Sequence, residues 1–215
     1  MMVNDKDLAS LQKQIDTYYL QISENKKRLI QTVLPERTRY LTIVLEDTFQ
    51  AFNASAILRT AEIFGIQDIH VVAEKNRFRP SVGICRGAMK WLSILQYANT
   101  ADCIATLKDA GYLIAVTSLD YTSIPLEKMQ VNQKIALVFG NELVGIKPET
   151  MKLADIKIHI PMVGFTKSFN LSVSVALCLQ ELLKKIKSSG LAWQLTETEK
   201  KVLEYSWCKQ IVQRK

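Results

Sequence analysis

The sequence predicts an α/β protein, with a mostly parallel sheet covered by helices on both faces and a helical extension at each end. Three observations carry this. Strand-like and helical segments alternate from about residue 40 to residue 190. The strand segments are continuous apolar runs, which marks strands buried on both faces. Helical patterns with no strand beside them lie at either end.

The elements follow in order. Residues 7–32 read as one helix, with Leu8, Leu11, Ile15, Tyr18, Ile22 and Leu29 near one face, until Pro35 breaks the pattern. Residues 41–45 form the first strand. The run from Asn53 to Gly65 is a helix striped by Ala56, Ile57, Ala61 and Phe64, with Gly65 placed to end it. A strand, DIHVVAE, leads into a basic loop with Lys75, Arg77, Arg79, Arg86 and Lys90, and WLSILQYA reads as a short strand. The helix TADCIATLKDAG takes Thr100 as its N-cap candidate and Gly111 as its stop. Strands YLIAVTSL and KIALVFGNE follow, then a short helix near residues 147–154 and the strand IKIHIPM. A long helix covers about residues 171–187, stopped by Gly190, and a last one runs over about 197–212 behind the capping signal TETE. This divides the chain into an N-terminal helical extension (1–36), a core (37–190) and a C-terminal helical extension (191–215).

Composition bounds the function. The 215 residues include 28 basic and 21 acidic side chains, a net charge of +7, which fits a phosphate-rich partner. No apolar stretch spans a bilayer and the first residues lack the apolar core of a signal peptide, so a cytoplasmic protein is expected. The cysteines Cys85, Cys103, Cys178 and Cys208 form no CxxC pair, and with only His70 and His159 beside them neither metal site nor disulfide is expected. They read as small buried apolar residues.

Three segments place polar groups where an α/β core needs none. In NASAILRT, Asn53 sits at a helix N-terminus and Arg59 lies in an otherwise apolar helix; read alone, they are a cap and a snorkelling surface arginine. In LVFGNELVGI, a buried strand runs into Gly140-Asn141-Glu142, with Gly145 following. Ligands bind beyond the carboxyl ends of such strands, although a simple strand-to-helix turn explains the residues equally. In IPMVGFTKSFNLSVS, a strand ends at Ile160-Pro161-Met162, and Ser168 or Asn170 caps the next helix. Ser172 and Ser174 are small enough for close packing. Neither GxGxxG nor GxxxxGK[ST] occurs.

In this order, and at these element ends, the three segments resemble the SpoU (TrmH-type) family of RNA ribose 2′-O-methyltransferases, of the SPOUT superfamily. The resemblance rests on Asn53 with Arg59, on Gly140-Asn141-Glu142 with Gly145, and on Ile160-Pro161-Met162 with Ser168-Phe169-Asn170, and it covers about residues 37–190. It implies a C-terminal trefoil knot, a rare exception to unknotted chain paths. It also implies a homodimer and an S-adenosylmethionine pocket lined by Thr117, Gly140, Ile160 and Phe169, largely through backbone groups. Phe169 stands where the family usually has leucine, and Leu143 where many relatives have glycine.

The same resemblance implies catalytic roles for Arg59, Asn53, Glu142, Ser168 and Asn170. A guanidinium stays protonated in proteins, so Arg59 is read as gripping an RNA phosphate and polarising the 2′-hydroxyl. Asn53 would orient Arg59 or the ribose, and Glu142, Ser168 and Asn170 would shape the pocket and hold the hydroxyl. RNA contacts are expected from Lys26, Lys27, Arg28, Arg37 and Arg39, and from Arg77, Arg79 and Arg86 in the loop. Helices at both ends resemble the layout of the tRNA guanosine-18 enzymes, so the D loop of tRNA is the expected substrate. Ribosomal RNA, the tRNA wobble nucleotide, and a non-catalytic RNA-binding protein on the same fold are the alternatives.

Overall fold

A computed structural model describes residues 5–48 and 50–213. The chain forms two compact units. One comprises Arg39–Trp193; the other joins the residues up to Thr38 with those from Gln194 onward.

The larger unit holds strands β1 (Leu41–Glu46), β2 (Asp68–Val72), β3 (Ser93–Tyr97), β4 (Leu113–Thr117), β5 (Ile124–Pro125), β6 (Ile135–Phe139) and β7 (Ile156–His159). They form one sheet in the order β3-β2-β1-β6-β4-β7-β5, and each pairing is parallel. Every residue of β1 and β6 is buried. These central strands are sealed on both faces, which is why their sequences show no polar alternation.

The period of two is visible in where the side chains go. Leu41, Ile43 and Leu45 join one core layer with Ile57, Leu58 and Ala61 of α3 (Ala51–Ile63) and with Val175, Leu179 and Leu182 of α7 (Leu171–Ser188). Val44 points the other way, into a layer with Cys103, Ile104 and Leu107 of α5 (Thr100–Asp109). The short α4 (Val82–Cys85) packs with α3, and α6 (Pro148–Leu153) with α5. All four cysteines are buried. Burial pushes the thiols of Cys103, Cys178 and Cys208 up to about 12, which makes them poor nucleophiles at neutral pH.

The second unit is helical. The single helix expected over residues 7–32 is two, α1 (Asp5–Tyr19) and α2 (Glu24–Val33). The chain breaks at Leu20, which is 87% exposed, and restarts behind Ser23, whose extended backbone is that of an N-cap. α1 packs along α8 (Glu197–Val212), where the Tyr18 and Tyr205 rings lie 5.9 Å apart and Tyr19 donates its hydroxyl to the Glu204 carboxylate. Thr196 and Glu199 close a capping box on α8.

Two further expectations shift, and one strand is added. Asn99, not Thr100, caps α5, accepting from Asp102 N at 2.8 Å; Thr100 is buried and donates to Glu46 instead. α3 begins at Ala51, so Asn53 lies inside the first turn. β5 was not expected, because two residues are too few to show a period.

Candidate active site

The carboxyl ends of β4, β6 and β7 are neighbours in the sheet and open onto a cavity of about 740 Å³. This is where open α/β sheets bind ligands. Thr117, Gly140, Ile160 and Phe169 line it, as do Asn53, Glu142, Ser168 and Asn170.

The turn after β6 is built around its glycines and one asparagine. A Cβ on Gly140 would stand 2.3 Å from the Gly145 carbonyl carbon and 2.4 Å from Ile146 N, so only glycine lets the strand pass beneath the turn. Asn141 and Gly145 exchange two backbone hydrogen bonds, of 3.0 and 2.8 Å, and Gly145 takes φ +74°. Asn141 Oδ1 accepts from Leu143 N and Val144 N, while its Nδ2 donates to the Asp47 carbonyl at 2.7 Å. The segment closes on itself between β6 and α6, so Glu142 lies in the closed turn, ahead of α6, which begins at Pro148.

A polar chain joins all three sequence motifs. Glu142 Oε1 accepts from Gln50 N and from Asn53 Nδ2, at 3.2 and 3.0 Å. Asn53, buried at 6% exposure, accepts through Oδ1 from Asn170 Nδ2 at 3.0 Å. Asn170 Oδ1 then caps α7 through Ser172 N and Ser172 Oγ. A carboxylate accepts only, so Glu142 orients the Asn53 amide and, through it, that of Asn170. Of the two cap candidates, Asn170 is the one that bonds, and Ser168 stays exposed at the cavity.

Arg59 is not part of this chain. Six residues beyond Asn53, at about 100° per residue, it lies on a different face of the helix, roughly 120° away. It is exposed, does not line the cavity, and among the described residues makes no hydrogen bond or ion pair. The expectation that Asn53 orients Arg59 is therefore corrected: the Asn53 amide is occupied by Glu142, Gln50 and Asn170.

The expected RNA contacts separate into groups. Arg28, Arg77, Arg79 and Arg86 are exposed, and Lys26 with them. Lys27 pairs with Glu24 at 2.6 Å, and Arg39 with Asp68 at 2.8 Å. Arg37 is fully buried with its guanidinium 5.7 Å from the Trp207 ring centroid, so it cannot meet RNA at the surface.

Sequence reasoning missed a second polar cluster beside the turn. Glu46 and Asp47 end β1 at 1% and 4% exposure. Glu46 accepts from Thr100 Oγ1, Thr150 Oγ1 and Lys147 N. The Lys147 ammonium sits 3.1 Å from Asp47 and 2.7 Å from Glu74. Burial alone would raise the Asp47 carboxyl, but the Lys75 and Asn76 amides and Lys147 outweigh it and hold it below the usual carboxylate range. The available signal was a pair of carboxylates closing an apolar run.

The cavity suits a ligand with an apolar part and a polar part, since both Ile160, Met162, Phe169 and Leu171 and the polar Thr117, Ser118, Asn53 and Glu142 line it. Among the described residues no group of three or more His, Cys, Asp or Glu side chains is placed to hold a metal ion.

The SpoU rRNA Methylase family matches residues 40–180. The chain is 42% identical over 191 residues to a tRNA (guanosine(18)-2′-O)-methyltransferase of Borreliella burgdorferi, across 89% of this chain and 88% of that protein. It is 31% identical over 159 residues to the Escherichia coli K12 enzyme of the same name, across 74% and 69%. Among solved structures it is similar to the Aquifex aeolicus TrmH/SpoU tRNA modifying enzyme, with a TM-score of 0.81 and 28% identity over 88% of this chain and 98% of that one. It is also similar to an AdoMet-bound rRNA methyltransferase from Sinorhizobium meliloti, with a TM-score of 0.63 and 25% identity over 69% and 57%.

Proposed function

The chain belongs to the SpoU methylase family, and from that premise we propose that it methylates the ribose 2′-hydroxyl of guanosine 18 in tRNA, with S-adenosylmethionine as donor. The observation that carries this reading is the Glu142–Asn53–Asn170 chain at the mouth of a cavity beyond β4, β6 and β7. The Borreliella burgdorferi and Escherichia coli relatives bear the guanosine-18 name, which favours tRNA over ribosomal RNA.

S-adenosylmethionine, when bound, supplies a sulfonium methyl whose departure leaves a neutral thioether. The residues here have two tasks: to hold the acceptor oxygen in line with that methyl in a water-poor pocket, and to ease loss of the hydroxyl proton. Thr117, Gly140, Ile160 and Phe169 would hold the cofactor, with Gly140 leaving room for the Gly145–Ile146 backbone that forms the cavity wall. Ser168, exposed at the cavity, would meet the ribose, on a platform fixed by Glu142, Asn53 and Asn170. Arg59 stays cationic and is unsuited as a base. Its exposed guanidinium on α3 would grip an RNA phosphate, whose oxygen shares the hydroxyl proton.

Arg28, Arg77, Arg79 and Arg86 supply the RNA-facing charge in this reading, and a cytoplasmic protein is the location that a tRNA substrate supports. Val173 and Leu177 lie one turn apart on α7, at 44% and 39% exposure, and support pairing with a second copy. Sedimentation equilibrium at twice the chain mass is the expected result.

The testing experiment is transfer of labelled methyl groups to unmodified tRNA transcripts, with ribosomal RNA in parallel, followed by nuclease mapping. Label on the ribose of guanosine 18 is expected. Label only in ribosomal RNA or at the wobble position would overturn the substrate, and cofactor binding without RNA methylation would overturn the activity.

A further inference from the structure

Asp47 does more than fill a turn. Its backbone is left-handed, at φ +52°, a conformation that disfavours most L-residues. Its carbonyl accepts from Asn141 Nδ2 at 2.7 Å and from Asn76 Nδ2 at 3.1 Å. Its carboxylate accepts from Lys75 N at 2.8 Å and Asn76 N at 3.1 Å, and pairs with Lys147. Two separate segments therefore hang on one residue: the cofactor-side turn from Asn141 to Gly145, and the start of the loop that carries Arg77 and Arg79. The first is held by the carbonyl and the second mainly by the carboxylate.

We propose that Asp47 is a positioning residue that sets the Asn141–Gly145 turn for the cofactor through its carbonyl and the Arg77/Arg79 loop for RNA through its carboxylate. This rests on the reading that the cavity takes the cofactor and that the loop meets RNA. The division of labour within one residue makes it separable by substitution. Glycine keeps the left-handed backbone and the carbonyl but removes the carboxylate. Alanine removes the carboxylate and also resists the positive φ. Asparagine tolerates that φ and keeps one acceptor oxygen for the Lys75 and Asn76 amides, losing the charge and the acceptor opposite Lys147.

The test measures tRNA KM by methyl transfer and the Kd of S-adenosylhomocysteine by calorimetry, with thermal unfolding as a check on folding. Asp47→Gly is expected to raise tRNA KM roughly tenfold, as loss of a buried, charge-assisted anchor does, and to leave Kd within about twofold. Asp47→Ala is expected to raise both. Asp47→Asn is expected to bring KM most of the way back from its raised value in Asp47→Gly. Asn141→Ala is expected to weaken the cofactor alone. If Asp47→Gly does not fold, Lys147→Met serves in its place, with a smaller rise in KM and an unchanged Kd.

The Arg77→Ala/Arg79→Ala double variant separates the two levels of the argument. A raised KM there with an unchanged KM in Asp47→Gly overturns the positioning role. An unchanged KM in the double variant overturns the RNA face, and the carboxylate half of the proposal with it. An unchanged Kd in both Asp47→Ala and Asn141→Ala overturns the carbonyl half.

Discussion

Asn53 donates from Nδ2 to Glu142 Oε1 at 3.0 Å across 89 residues of chain, and the same amide accepts from Asn170 through its oxygen. One side chain thus closes the gap between α3, the turn after β6 and the cap of α7. Asn53→Ala would leave the Glu142 carboxylate and the Asn170 amide without this partner. Both lose the bond that fixes their orientation at the cavity, and a hydrogen bond to a charged group contributes roughly 1.5–3 kcal/mol, so kcat/KM is expected to fall roughly 10- to 100-fold. A double-mutant cycle with Glu142→Gln checks it: full additivity would show that the two residues act independently.

Gly140→Ala is expected to weaken cofactor binding and stability together. Its methyl would meet backbone at 2.3 to 2.4 Å, and backbone cannot swing aside as a side-chain tip can. Moving the 145–146 segment disturbs both the Asn141–Gly145 bonds and the cavity wall. Overpacking of this kind costs about 1–3 kcal/mol. Differential scanning calorimetry should register the loss, and an unshifted Tm would mean that the turn moves freely.

What was legible in the sequence follows from how far each signal reaches along the chain. β1 and β6 were readable because strands buried on both faces must be apolar throughout. The start of α8 was readable because Thr196 and Glu199 cap each other within one turn. The break at residues 20–23 was hidden, because Ile15 before it, Ile22 within it and Leu29 beyond it keep one apolar register. Arg37 looked like surface charge because its cover, Trp207, arrives 170 residues later. The three motifs were visible one by one, but nothing in their spacing says that Asn53 bonds Glu142 and not Arg59. Asp47 was missed for a related reason: its partners come from three distant segments, and its left-handed backbone leaves no mark in the sequence.

His70 gives the fold an acid-sensitive point. It is 5% exposed on β2, with Nδ1 3.0 Å from the Tyr97 hydroxyl. Burial pushes its pKa below the ordinary value, and Asp68 only partly offsets this. The unfolded chain protonates near pH 6.5, before the folded one does. Stability from this group is therefore level above about 6.5 and falls as pH drops below it, with a slope of up to about 1.4 kcal/mol per pH unit. Urea titrations between pH 5 and 7.5 measure that slope, and it should vanish in His70→Gln. An equal slope in the variant would assign it elsewhere.

Arg59 should separate chemistry from folding. It is exposed, unpaired among the described residues and absent from the cavity wall, so its removal strips no contact from the fold or the cofactor. Arg59→Lys keeps the charge but replaces a planar fork by a point donor, which cannot grip a phosphate through two parallel bonds. Methyl transfer is expected to fall by roughly 10²-fold, on the scale of losing one transition-state donor, with Tm and the Kd of S-adenosylhomocysteine unchanged. The effect should appear in single-turnover rates at saturating tRNA, because a grip needed only to polarise the hydroxyl acts after binding. A loss confined to tRNA KM would make Arg59 a docking charge like Arg77 and Arg79, and full activity in the lysine variant would remove it from the mechanism altogether.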